Sequence, residues 1–112
     1  MDNLFARIIA REIPATILYE DDQVLAFQDV APQAPVHFLV IPKKHIATLN
    51  DLQEADKALA GHLLYTAQRL ALELGCDDGF RVVVNCKEKG GQTVQHLHLH
   101  VLGQRAMSWP PG

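Results

Sequence analysis

Residues 96 to 102 read "HLHLHVL", three histidines alternating with Leu97, Leu99 and Val101. This run constrains the fold more than any other feature of the chain. In an extended strand, residues i, i+2 and i+4 point to one face. A strand through the run therefore sets His96, His98 and His100 on one side and the three apolar residues on the other. The apolar side needs a core to cover it. The imidazole side needs solvent, a ligand or polar partners, because a buried imidazole must be hydrogen-bonded.

The remaining patterns supply the neighbours such a strand requires. Asp2 or Asn3 is positioned to cap a short helix whose apolar residues are Leu4, Phe5, Ile8 and Ile9, with Pro14 as its terminator. "TILYED" and "QVLAFQD" read as a β-hairpin turning at Asp21-Asp22. The two prolines of "VAPQAP" mark a loop, and "VHFLVIP" after it suits an interior strand. From Asn50 to Leu74, Leu52, Ala55, Leu59, Leu63, Ala67, Leu70 and Leu74 recur at steps of three or four. That period predicts a long amphipathic helix capped by Asn50 and stopped by Gly75, widened on its apolar side by Ala60 and Leu64. His62 on this helix reads as a partly exposed side chain. "FRVVVNC" is a further strand, "KEKGGQ" a turn and "RAMSWPPG" a proline-rich tail. Helices and strands in this order, without repeated βαβ units, predict an α+β fold with a mainly antiparallel sheet.

Length sets the scale: 112 residues suit one domain over 1–112, with 104–112 as its tail. A hydrophobic content of 48% supports a packed core, and a second subunit would bury more surface. The net charge of −3 lacks the clustered basic face that nucleic-acid binding requires. No apolar run approaches the length of a membrane span. The opening "MDNLFARIIAREIPA" is too charged for a signal peptide. Cys76 and Cys86 lack the close spacing of a CxxC motif, and two thiols are too few for a disulfide framework, so incidental thiols in the reducing cytoplasm are expected, with a single bond between the two as the alternative.

Three chemistries can use aligned histidines. A metal site is limited by spacing: same-face neighbours are about 6.6 Å apart and the outer pair about 13 Å, so two imidazoles converge on one zinc more readily than three. A structural network would need a partner for every ring. An anion site gains from "GGQT" just before the run: Gly90 and Gly91 permit close backbone approach, while Gln92 and Thr93 bring an amide and a hydroxyl. A neutral imidazole can attack phosphorus while a neighbour hydrogen-bonds the phosphoryl oxygens.

The chain resembles the histidine-triad superfamily, and within it the Hint branch of nucleotide-binding proteins. The likeness is carried by "EIPATILYEDD", "LAFQDVAPQAPVHFLVIPKKHI", "GGQTVQHLHLHVLG" and the terminal "WPPG". It implies a five-stranded antiparallel sheet with two helices, and a homodimer that pairs strands and packs long helices together. It implies hydrolysis of purine nucleoside phosphoramidates at the P–N bond, and of acyl-adenylates, with no cofactor and no metal. By the same resemblance, His98 is the nucleophile and His100 contacts phosphoryl oxygens. His96 and His37 orient the nucleophile and relay protons. Asn85, Gly91, Gln92 and Thr93 approach the phosphate and leaving group, Thr93 standing where relatives often have serine. Asp29 binds the ribose, Phe27, Val30 and Leu39 form a purine slot, and Trp109 reaches toward the neighbouring subunit's site. The resemblance gives His45 no role. Relatives with a zinc-binding cysteine pair carry it where this chain reads "NLFARII", which has no cysteine.

Two other readings differ in kind from an enzyme. One is a nucleotide-binding regulatory module, which would not demand His98. The other is a metalloprotein centred on His98, which would respond to chelator.

Overall fold

A computed structural model describes residues 3–112. Helix α1 (Leu4–Ile9) precedes strands β1 (Ile17–Glu20), β2 (Val24–Gln28) and β3 (Val36–Pro42). Helix α2 (Lys57–Glu73) then leads to β4 (Phe80–Val83) and β5 (Leu99–Gly103). The strands form one antiparallel sheet in the order β1-β2-β3-β5-β4, which bears out the α+β expectation. Asp21 makes the hairpin turn: its Oδ1 accepts the N–H groups of Gln23 and Val24. Asp2, the other candidate cap, lies outside the described residues.

Strand alternation divides the core between two faces. Val24, Ala26, Phe38, Val40, Leu99 and Val101 pack beneath α2 with Leu63, Ala67 and Leu70. The intervening Leu25, Phe27, Leu39 and Ile41 face Phe5 and Ile8 of α1. The central strands β2 and β3 are covered on both sides, which explains why they read as nearly unbroken apolar runs.

Three boundaries depart from the sequence reading. Helix α1 ends at Ile9, well before Pro14, with Arg11 in the left-handed region at φ 64°. Helix α2 begins at Lys57. The stretch before it forms two short 3-10 turns, Leu49–Asp51 and Glu54–Asp56, separated by Leu52 in extended conformation. Side-chain oxygens impose this break. Thr48, rather than Asn50, caps the first turn, and the carboxylates of Asp51 and Asp56 take the backbone N–H groups of Thr48 and Gln53. Gly75 follows the helix at φ 84°, in the role expected of it.

The third departure concerns the histidine run. Strand β5 starts at Leu99, so His96 and His98 lie in its approach. The Leu97 N–H donates to the Ile46 carbonyl, and His98 bonds the carbonyl two residues behind it. These bonds replace a sheet ladder. The alternation of faces nevertheless persists: Leu97 joins the core under α2, whereas Phe5 of α1 stands edge-on to both His96 and His98. Among the described residues, no helix is long and apolar enough to cross a membrane.

Candidate active site

Register brings the imidazoles together. Leu39 of β3 is opposite His100 of β5, and His37 is opposite Leu102, so His37 and His100 are diagonal neighbours on one face. The His98 and His100 rings lie 5.0 Å apart. Beside them is a pocket of about 240 Å³. Phe27, Leu39, Asp29, Val30, Thr93, His98 and His100 line it. Leu4, Phe5, Ile8, Ile13 and Val94 also line it. The first three were visible as the apolar face of α1, but nothing in their spacing distinguishes a ligand wall from core.

The hydrogen bonds fix the tautomer of each ring. The His96 carbonyl, 2.7 Å from Nδ1 of His98, can only accept, so His98 carries its proton on Nδ1 and leaves the Nε2 lone pair free. The Pro42 carbonyl, 2.8 Å from Nε2 of His96, sets that ring's proton in turn, and the Asn3 amide faces its Nδ1 at 3.4 Å. The Gln33 N–H donates to Nδ1 of His37 at 2.9 Å, which places the His37 proton on Nε2. Nε2 of His37 donates to Nδ1 of His100 at 3.0 Å, leaving His100 with an Nε2–H donor. The site thus pairs an unprotonated nitrogen on His98 with an N–H on His100.

Burial keeps these rings neutral. His98 is held below the ordinary histidine range chiefly by burial, against the pull of the His96 carbonyl and Asp29. Burial, with His98 and His37 as neighbours, lowers His100 to about 4. His37 and His96 are also lowered, in both cases mainly by burial.

Asp29 has two tasks. Its Oδ1 accepts the Ala31 N–H and shapes the proline loop, while Oδ2 lies 3.4 Å from Nε2 of His37. Asp29, His37 and His100 also form a group, among the described residues, whose side-chain ligand atoms all lie within 4.8 Å of one another. In the neutral site the His37 proton occupies the line between the two imidazoles, so a metal ion would have to expel it.

Other expected residues stand differently. His37 is hydrogen-bonded to His100. His96 reaches the nucleophile through its backbone carbonyl, not its ring. The Gln92 side chain is spent on backbone groups: Oε1 accepts the Lys87 N–H, and Nε2 donates to the carbonyls of Ala47 and Val94. Its contribution is to hold the loop that carries Thr93. Gly91 adopts φ 81°, a turn requirement, whereas a Cβ on Gly90 would meet the Cys86 carbonyl oxygen at 2.4 Å. Both glycines therefore serve local geometry. Asn85 is half-buried just beyond β4 and outside the pocket lining. Val30 sits exposed on the rim, and Trp109 is 82% exposed on the tail. His45 packs edge-on against His96 with its buried Nδ1 unpaired, and His62 bonds Asp21 at 2.6 Å, tying the hairpin to α2.

An antiparallel sheet that presents ordered neutral imidazoles beside an apolar pocket defines a class of histidine-based hydrolases. The chain belongs to the histidine-triad (HIT) family: the HIT domain matches residues 10–107. It is 57% identical over 111 residues to an uncharacterized HIT-like protein of Synechococcus elongatus, covering 99% of this chain and 97% of that one. The crystal structure of a HIT family hydrolase from Legionella pneumophila superposes with a TM-score of 0.96 at 51% identity, covering 99% of this chain and all of the other. A histidine triad nucleotide-binding protein from Candida albicans gives 0.83 at 28% identity, covering 97% and 83% of the two chains.

Proposed function

We propose that the chain is a purine nucleoside phosphoramidase of the Hint branch. It hydrolyses P–N bonds of AMP and GMP phosphoramidates, and acyl-adenylates, through a nucleotidyl-His98 intermediate. The observation that carries this reading is the bond from His98 Nδ1 to the His96 carbonyl, which leaves Nε2 unprotonated beside the apolar pocket.

In the first step His98 Nε2 forms a bond to the α-phosphorus as the P–N bond breaks, and the departing nitrogen takes a proton from solvent water and leaves as the amine. Thr93 brings a side-chain hydroxyl to the pocket lining. The Nε2–H of His100 donates to a non-bridging oxygen as charge builds there. In the second step water attacks phosphorus and releases a proton to solvent, the N–P bond breaks, and the nucleoside monophosphate departs as His98 regains its lone pair. Two displacements replace one harder attack by water. The base lies among Phe5, Phe27 and Leu39, and the ribose hydroxyls bond Asp29.

The same reading makes the protein a homodimer. Strand β4 is at the sheet edge, and Leu64 and Leu72 stand outward from α2, so strand pairing and helix packing would cover both features. Turnover of purine and pyrimidine phosphoramidates by wild type and His98→Ala tests the activity. Purine substrates should be cleaved by wild type alone. Equal cleavage by the variant would refute the proposal.

A further inference from the structure

We propose that Arg105 is a positioning residue for the reaction: by holding Gln33 through its carbonyl, it keeps the Gln33 N–H on His37 and so fixes the tautomer of His37 and, through His37, that of His100. This rests on the reading that His100 donates to the phosphoryl group.

Arg105 lies just past the end of β5, outside the pocket lining. Its Nε donates to the Gln33 carbonyl at 2.9 Å. Gln33 sits in the loop between β2 and β3, flanked by Pro32 and Pro35, with no sheet ladder to hold it. Within the loop its side chain reaches only the Ala31 carbonyl, at 3.0 Å. Arg105 therefore ties the segment that follows β5 to the carbonyl of Gln33. The N–H of the same residue donates to His37 Nδ1 at 2.9 Å, and His37 Nε2 bonds His100 Nδ1 at 3.0 Å.

The consequence follows from counting protons. Without the Gln33 N–H, His37 can move its proton to Nδ1. Two unprotonated nitrogens would then face each other at the His37–His100 contact. That repulsion is relieved if His100 shifts its own proton to Nδ1, which removes the Nε2–H donor from the reaction. The other groups around this pair are Asp29, whose Oδ2 lies 3.4 Å from His37 and 3.9 Å from His100, and the His98 ring. Asp29 favours the His37 Nε2–H and so works with Gln33. The guanidinium charge also acts on His37, so charge and hydrogen bond have to be separated.

Glutamine and methionine achieve this separation. Arg105→Gln keeps an N–H donor at the ε position without the charge, and Arg105→Met has neither. The tautomers are read without substrate from ring-nitrogen NMR of 15N-histidine protein, and turnover from kcat and KM with adenosine phosphoramidate. The Met variant should lose about fivefold in kcat, the loss of one net hydrogen bond, with KM little changed. Its His100 Nδ1 signal should move toward the protonated position. The Gln variant should match wild type in tautomer and stay within about twofold in kcat. Wild-type tautomers in the Met variant would overturn the proposal, and so would equal tautomer shifts in both variants, because charge rather than the donor would then be responsible. If wild type cleaves no phosphoramidate, the proposed activity fails, while the NMR comparison still decides the role of Arg105.

Discussion

Phe5 meets His98 edge to face, with ring centroids 4.9 Å apart and planes at 84°. The same ring stands on Phe27 at 5.5 Å, so α1 closes the space between nucleophile and pocket. Phe5→Ala should therefore cost about 3–5 kcal/mol of stability, the usual range for truncating a buried aromatic. It should also raise KM, whereas Phe5→Leu should retain most of both. Denaturant melts and steady-state kinetics check this. An alanine variant with unchanged KM would separate α1 from the site.

The pH dependence has a definite sign. His100 titrates near 4 in the fold against 6.5 when free, and burial also lowers His98. A depressed folded pKa means that the unfolded chain takes the proton first. The stabilisation is thus complete above about 6.5 and is lost as pH falls toward 4. For His100 alone the span is about 3 kcal/mol. The acid limb of kcat/KM should have its midpoint below 6.5, since protonated His98 has no lone pair to give. A midpoint above 6.5, or stability rising from pH 7 to 5, would contradict this.

Asp29→Asn should weaken ribonucleotide binding more than it slows chemistry. A carboxylate accepts from two hydroxyls, whereas an amide offers one acceptor oxygen. The loop should survive, because the amide oxygen can still take the Ala31 N–H that Oδ1 now accepts. Comparing ribo- and 2′-deoxyribonucleotide substrates checks this: the variant should lose most of the wild-type preference for ribose. An unchanged KM for ribonucleotides would remove Asp29 from the binding site.

Periodicity made the central elements legible. The hairpin at Asp21, the interior run of β3 and the stop at Gly75 all follow local chemistry that tertiary contacts reinforce. The start of α2 was not legible, because Leu52 and Ala55 keep helical spacing while the carboxylates of Asp51 and Asp56 fold the backbone into turns. The start of β5 was hidden similarly: alternation records which face a residue occupies, not whether its N–H joins a ladder. In the site, alternation set the three histidines on one face, whereas a binding slot beside His98 was implied only by the family resemblance. The partner of His37 and the internal bonding of Gln92 depend on contacts across 63 and 45 residues. Such contacts leave no local trace.

Removing Met107 to Gly112 should change the preference among amine leaving groups while leaving a dimer. Arg81 of β4 donates to the Ser108 carbonyl at 2.8 Å, which directs the tail along the exposed sheet edge. Trp109 then stands in the open, available to a neighbouring subunit. Relative rates across several amines, with the oligomer checked by sedimentation, test this. Identical selectivity before and after truncation would count against a role for the tail.

The central claim is that His98 becomes covalently nucleotidylated. Acid quench during turnover of a phosphorus-labelled adenosine phosphoramidate tests it most directly, with the label located by peptide mapping. Wild type should carry label on His98, stable in base and lost on standing in acid. His98→Ala should fold, bind AMP and carry none, since that ring can be removed while Leu97 and Leu99 keep their places in the core. Absence of label from wild type during active turnover, or equal label on the variant, would show that His98 is not the nucleophile.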